Sequence, residues 1–306
     1  MRKLIAIVIV AAAFAGSFTI RQGLDMFNEN DPSSLSPGGK CSRIICLSPG
    51  LTETVFALGL GNQVVGVTRF CTYPPEAEKC PNIGGFLDPN YEAIVALHPD
   101  MVLVTPYQGA LAQDLQRLGV KTFTIAQDSL RDILESYQYI GALCNCQQEA
   151  SLLSDTLENS LDRITQNITD RIRPRILVTT GRDIRSGTLN EVYAVGQGTF
   201  LDELITLLGG DNIAPGKLLE YPSLSAEGIL RLDPDIIIEL AANQDYDEKL
   251  EQTALAAWEE LPNLRAAQKK RIHILFGNYL TIPGPRVVLT LEALERCLRP
   301  RQDETL

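Results

Sequence analysis

Two histidines, His98 and His273, seven cysteines and scattered carboxylates are this chain's stock of groups for acid–base, nucleophilic or metal chemistry. The imidazoles are far apart, each inside an apolar α/β stretch, so a catalytic zinc or a histidine-based hydrolase is poorly supplied. There is no phosphate-binding loop, no Gly-x-Ser-x-Gly elbow and no His-Glu-x-x-His helix. Val195-Gly196-Gln197-Gly198 holds Gly-x-Gly without the third glycine of a dinucleotide fingerprint. The chain therefore reads as a non-enzyme, with no cofactor and no metal expected.

What the residues supply instead is a binding surface. Aromatics, glycines and hydroxyls gather where apolar strands end: Ser48-Pro49-Gly50, residues 70–73 with Phe70 and Tyr73, residues 105–107 with Tyr107, Thr180-Gly181-Arg182, and residues 277–283. In doubly wound sheets ligands bind outside the carboxyl ends of the strands. A lining of this kind suits a sizeable, partly apolar ligand held by stacking and a few hydrogen bonds.

The strands that aim these loops belong to a duplicated unit. Residues 92–103 return as 227–238, with five of twelve positions identical: Glu, Ile, Leu, Pro and Asp. Each copy predicts a short helix opened by a glutamate (Glu92, Glu227), where the helix dipole favours negative charge. A Pro-Asp stop and an unbroken apolar run follow, the mark of a strand buried on both faces of a parallel sheet. Residues 53–59 and 203–209 form a second matching pair, each a helix closed by a glycine. Duplication accounts for the shared spacing, whereas general α/β patterning would match only the apolar positions. From 129 to 173 the chain holds almost no helix breaker except Gly141, and Leu152, Leu153, Leu157, Leu161, Ile164 and Ile168 recur at helical spacing, which predicts a helical connector.

Met1-Arg2-Lys3 followed by uncharged residues 4–20 fits a secretory signal peptide and equally an uncleaved N-terminal anchor; either places the folded part outside the cytoplasm. Disulfides are permitted there, and Cys71 with Cys80, flanking the Tyr-Pro-Pro loop, is the expected pair. Cys144 and Cys146 are two apart in a helical context and point to different faces. Asn167-Ile168-Thr169 matches a glycosylation sequon inside the expected helix. A net charge of −11 without a basic run argues against nucleic acid. With 45% apolar and 21% charged residues the composition is ordinary for a folded domain. The expected divisions are a leader or anchor (1–20), a flexible linker (21–42), an N-terminal α/β lobe (43–128), a helical connector (129–173), a C-terminal α/β lobe (174–300) and a tail (301–306).

Residues 43–53, 65–75 and 92–104 resemble the periplasmic-binding proteins of ABC importers for vitamin B12, haem and iron–siderophores, most of all the vitamin B12-binding members, and the likeness runs over about 43–300. It implies two doubly wound α/β lobes joined by one long helix, a ligand held between them, delivery to an ABC importer permease, and no catalysis. It implies ligand contacts at Gly50, Phe70, Thr180, Tyr221 and Asn278, with Tyr107 beside another, and permease docking through Glu92 and Glu227. Phe70 stands where the family has tyrosine, Tyr221 where it has tryptophan, Asn278 where it has aspartate, and Ile282 where it has arginine. The expected ligand is a corrinoid, with haem and ferric siderophores as alternatives. Contact with a membrane is expected only through the permease or an uncleaved N-terminal segment. A doubly wound enzyme and a membrane-anchored sensor are the competing readings from other classes.

Overall fold

The computed structural model describes residues 41–166, 173–190, 192–215, 219–242 and 245–299. The expected leader, most of the linker, the sequon at Asn167 and the tail lie outside the described residues.

The first lobe runs β1 (Ile44–Cys46), α1 (Pro49–Ala57), β2 (Val64–Val67), α2 (Tyr91–Ala96), β3 (Met101–Val104), α3 (Gly109–Arg117), β4 (Thr122–Thr124) and α4 (Leu130–Cys144). Its strands are all parallel, in the order β2-β1-β3-β4. Every residue of β1 and β3 is buried, as their unbroken apolar runs require. Helix α5 (Gln147–Thr165) then leads into β5 (Arg175–Thr180), β6 (Val192–Ala194), α6 (Phe200–Leu207), β7 (Asp211–Asn212), β8 (Ser223–Leu224), α7 (Ala226–Leu232), β9 (Ile236–Ala241), α8 (Glu248–Glu259), α9 (Arg265–Gln268), β10 (Ile272–Phe276) and α10 (Val287–Leu298). Strands β10, β9, β5 and β7 are parallel neighbours in that order, which repeats the first lobe's plan; β6 and β8 are antiparallel additions on the β5 side.

The duplicated sequence has a physical explanation in both lobes. Asn90 and Ser225 cap α2 and α7, accepting from the backbone N–H of Ala93 and Gly228. Past each helix a non-glycine residue turns left-handed, His98 and Asp233, both at φ 44°. Such a residue costs about 1–2 kcal/mol, and matched bonds offset it. The carboxylates of Asp100 and Asp235 accept from the N–H of Ser42 and Arg175, at 2.9 and 3.0 Å. The guanidinium groups of Arg43 and Arg175 donate to the carbonyls of Leu97 and Leu232, at 2.6 and 2.8 Å. The Pro-Asp stop thus fastens the end of a helix to the start of the lobe's first strand. Gly59 and Gly209 close α1 and α6 at φ 77° and 76°, again in parallel.

The connection between the lobes is α5, preceded by α4 with which it forms an antiparallel hairpin. The break falls at Asn145, left-handed at φ 57°, and not at Gly141. Gly141 lies inside α4, where a Cβ would come within 2.6 Å of Ala150 Cβ; its bareness lets the two helices close. Gln138 Nε2 donates to Ser154 Oγ at 2.9 Å along the same seam.

The expected Cys71–Cys80 bridge is not formed. Cys71 points into the lobe, its sulfur 3.1 Å from Thr52 Oγ1 and 3.2 Å from Thr68 Oγ1, while the Cys80 thiol turns toward the Val64 carbonyl. The disulfide joins Cys41 to Cys144 instead, across 103 residues, tying the entry of β1 to the last turn of α4. As expected, Cys144 and Cys146 do not pair with each other. A loop of this size is worth about 4–5 kcal/mol in restricted unfolded-chain entropy. Non-reducing peptide mapping should recover Cys41 linked to Cys144. Replacing both with serine should lower the unfolding free energy by about 2–5 kcal/mol; an unchanged denaturation midpoint would argue that the bridge does nothing for stability.

Candidate functional site: the interlobe cleft

Among the described residues, three of the contacts that join the lobes leave from the carboxyl ends of first-lobe strands. After β1, Gly50 in the first turn of α1 lies so close to the backbone of the 277–286 loop that a Cβ would meet the Pro283 carbonyl oxygen at 2.4 Å. After β2, Thr72 Oγ1 accepts from Asn278 Nδ2 at 3.2 Å. After β3, the Tyr107 hydroxyl donates to Glu220 of the second lobe. Three of the expected ligand residues, Gly50, Asn278 and Tyr107, therefore sit at contacts between the lobes.

Local chemistry sets each loop. Ser48 is the cap of α1, accepting from Leu51 N, so Pro49-Gly50 is the first helical turn and not a loop. Buried Gln108 fixes the turn that carries Tyr107: its Oε1 accepts from Thr105 N at 2.9 Å, and its Nε2 donates to the carbonyls of Leu47 and Phe86 at 3.1 and 2.7 Å. On the far side, Gly196 N donates to the Glu220 carbonyl at 2.6 Å, and a Cβ at Gly196 would meet the Leu219 carbonyl oxygen at 2.4 Å. The Gly-x-Gly fragment is thus structural: Gly196 lets the Glu220–Tyr221 segment pass, and Gly198, at φ 87°, precedes the Thr199 cap of α6.

Phe70, Tyr107 and Tyr221 are 51%, 55% and 41% exposed, enough ring face to cover a flat ligand. Partial desolvation, then the bond to Glu220 and the charge of Asp128, push the Tyr107 phenol well above the usual range. Asp128, at the carboxyl end of β4, is pushed up by burial first, then by Asp132 and Glu220. Neither Asp128 nor Glu220 stood out in the sequence; adjacency to Tyr221 was the only signal for Glu220.

Deeper in, Glu53 of α1 accepts two bonds from Arg286, which precedes α10, at 2.6 and 2.9 Å. The pair is nearly buried, and burial pushes the Glu53 carboxyl up against the opposing pull of Arg286. Arg286 also donates to Asn278 Oδ1 at 2.7 Å and lies 4.0 Å over the Tyr73 ring. Tyr73 is therefore engaged by Arg286, and it lines a recess of about 780 Å³ with Phe56, Pro74 and Pro285. In the second lobe, Thr180 ends β5 opposite Tyr193 of β6, a half-exposed aromatic absent from the sequence expectations, whose ring is 3.3 Å from where a Gly181 Cβ would sit. Arg182, next in line, faces inward: it makes two 2.7 Å bonds to Glu239, which also accepts from Trp258 Nε1 at 2.7 Å. Among the described residues no three His, Cys, Asp or Glu side chains are grouped so as to hold a metal ion.

Glu92 and Glu227 occupy the same place in their lobes, exposed in the first turns of α2 and α7. Because each helix runs antiparallel to the strand that follows, its N-terminus lies at the carboxyl ends of its sheet, the side on which the cleft opens. Glu227 holds Arg231 at 2.8 Å, one helical turn on.

Two duplicated lobes meeting at their carboxyl ends, with an aromatic cleft between them, define a bilobed solute-capturing protein. The chain belongs to the periplasmic binding protein family, whose model matches residues 44–278. It is a non-enzymatic substrate-binding protein of the ABC-transporter type. It is 28% identical over 273 residues to a vitamin B12-binding protein of Vibrio cholerae, spanning 87% of this chain and 91% of that one. A substrate-binding lipoprotein of an uncharacterized Bacillus subtilis ABC transporter is 24% identical over 84% of this chain and 80% of its own. Among solved structures, the periplasmic vitamin B12-binding protein of Vibrio cholerae superposes with a TM-score of 0.72 at 23% identity, over 84% of this chain and 96% of that one. The periplasmic haem-binding protein of the same organism gives 0.72 at 22% identity, over 85% and 100%.

Replacing Arg286 with methionine should strand Glu53 as a buried carboxylate and cost about 3–5 kcal/mol at neutral pH. An acid whose folded pKa is raised destabilises above that pKa and ceases to do so once protonated in both states. The deficit should therefore shrink as pH falls toward Glu53's ordinary value of 4.5; a deficit independent of pH in denaturant titrations would show that Glu53 is not its source.

Proposed function

We propose that this protein captures a corrinoid, a cobalamin-like ligand, between its two lobes outside the cytoplasm and hands it to the permease of an ABC importer. The observation that carries the reading is the set of half-exposed rings, Phe70, Tyr107 and Tyr221, at the carboxyl ends where the lobes touch. A broad macrocycle offers those rings an apolar face and offers Asn278, Glu220 and Thr180 hydrogen-bonding edges. Relatives named as vitamin B12-binding and cobalamin-binding proteins support the same ligand class. Gly50 and Tyr73 contribute by placement, Gly50 through close backbone approach and Tyr73 beneath Arg286.

Titration with cobalamin and cobinamide should give saturable shifts in corrin absorbance. Ligand absorbance is the better reporter, because Trp258 is buried in the second lobe's core. Phe70→Ala and Tyr221→Ala should each weaken binding by about two- to tenfold, the range of a lost aromatic contact. If cobalamin and cobinamide leave the spectra unchanged while haem or a ferric hydroxamate saturates, the ligand class is wrong.

The exposed acids Glu92 and Glu227 are proposed to dock the two lobes onto basic residues of the permease. Charge complementarity across such a rim sets orientation and encounter rate more than raw affinity. Reversing both to arginine should abolish uptake in cells while purified protein still binds ligand. Retained uptake, or loss of ligand binding, would remove these two residues from the docking role.

A further inference from the structure

The carboxylates at the cleft suggest what kind of tetrapyrrole fits. Tyr107 donates to Glu220 across the gap, and Asp128 stands beside both. Among the described residues, the groups acting on Tyr107, Asp128 and Tyr221 are themselves acids or phenols: Glu220, Asp132 and one another. Three arginines of the neighbouring loops are engaged elsewhere. Arg69 holds Asp88 at 2.9 Å, Arg286 holds Glu53 and Arg182 is buried against Glu239. Arg131 acts on Glu203. Lys249 and Arg185 line a separate recess of about 610 Å³ that also contains Asp245 and Asp247.

A ligand settling between Tyr107 and Tyr221 takes the phenol's place before Glu220, and only a hydrogen-bond donor or a cation satisfies that carboxylate there. A corrin ring carries carboxamide N–H donors around its edge. Haem carries two propionate carboxylates, which would add like charge beside Glu220 and Asp128. Resting on the corrinoid reading above, we propose that Glu220 and Asp128 are specificity-determining residues, admitting amide-edged corrinoids and rejecting carboxylate-edged tetrapyrroles. Truncating a selective element of this repulsive kind relaxes choice rather than simply weakening binding.

The test is a pair of titrations, haemin and dicyanocobinamide, against the wild-type protein and the isosteric Asp128→Asn/Glu220→Gln protein, with thermal melts to confirm that both are folded. Affinity for haemin relative to cobinamide should rise at least about tenfold in the double variant, which corresponds to about 1.4 kcal/mol. Glu220→Gln alone, which keeps an acceptor for Tyr107, should give part of that rise. Haemin bound as tightly by wild type as by the variant overturns the exclusion, whatever the corrinoid result. Cobinamide bound by neither protein overturns the functional reading instead, so the two failures are separable.

Discussion

One exchange of carboxylates holds the two halves in register. Glu53 and Glu203 are equivalent residues of the duplicated unit, in the first helix of each lobe, and each reaches into the other half. Glu53 takes the guanidinium of Arg286 just before α10, and Glu203 accepts from Leu130 N, the first residue of α4, at 2.7 Å. Helices α4 and α10 are themselves equivalent, each following the last parallel strand of its lobe. The lobes are thus joined by two crossed ties related by the duplication. Burial pushes both carboxyl groups up, so each bond is formed at a desolvation cost that its partner does not fully offset. The aromatic loops are held at a defined separation because these ties are.

The two ties are unlike in chemistry although alike in place. An arginine fork meets Glu53, a single backbone N–H meets Glu203. A charged pair with fixed geometry resists rotation more than one hydrogen bond does.

Sequence legibility followed the range of the forces involved. The Pro-Asp stops, the glycine-closed helices and the buried strands were readable because each is settled within a few residues. The break at Asn145 was not, since a left-handed asparagine is a subtler signal than a glycine, and Gly141 proved to be a packing residue. The disulfide was missed for a related reason: adjacency favoured Cys71 and Cys80, whereas the bridge depends on α4 returning to the entry of β1. In the cleft, the aromatic and hydroxyl loops were visible as strand ends, and Tyr107 and Asn278 do face the opposite lobe. Glu220, Asp128 and Arg286 were invisible, because a carboxylate or guanidinium between turns looks like any solvated charge until the chain is folded.

The Cys41–Cys144 bond turns the first lobe into a covalent ring that α5 leaves from just outside. A protease cutting any exposed loop of that lobe would leave its pieces linked, whereas a cut in the stretch between α5 and β5 would release the second lobe from every covalent tie to the first. The covalent unity of this carrier therefore rests on a single connection between its halves.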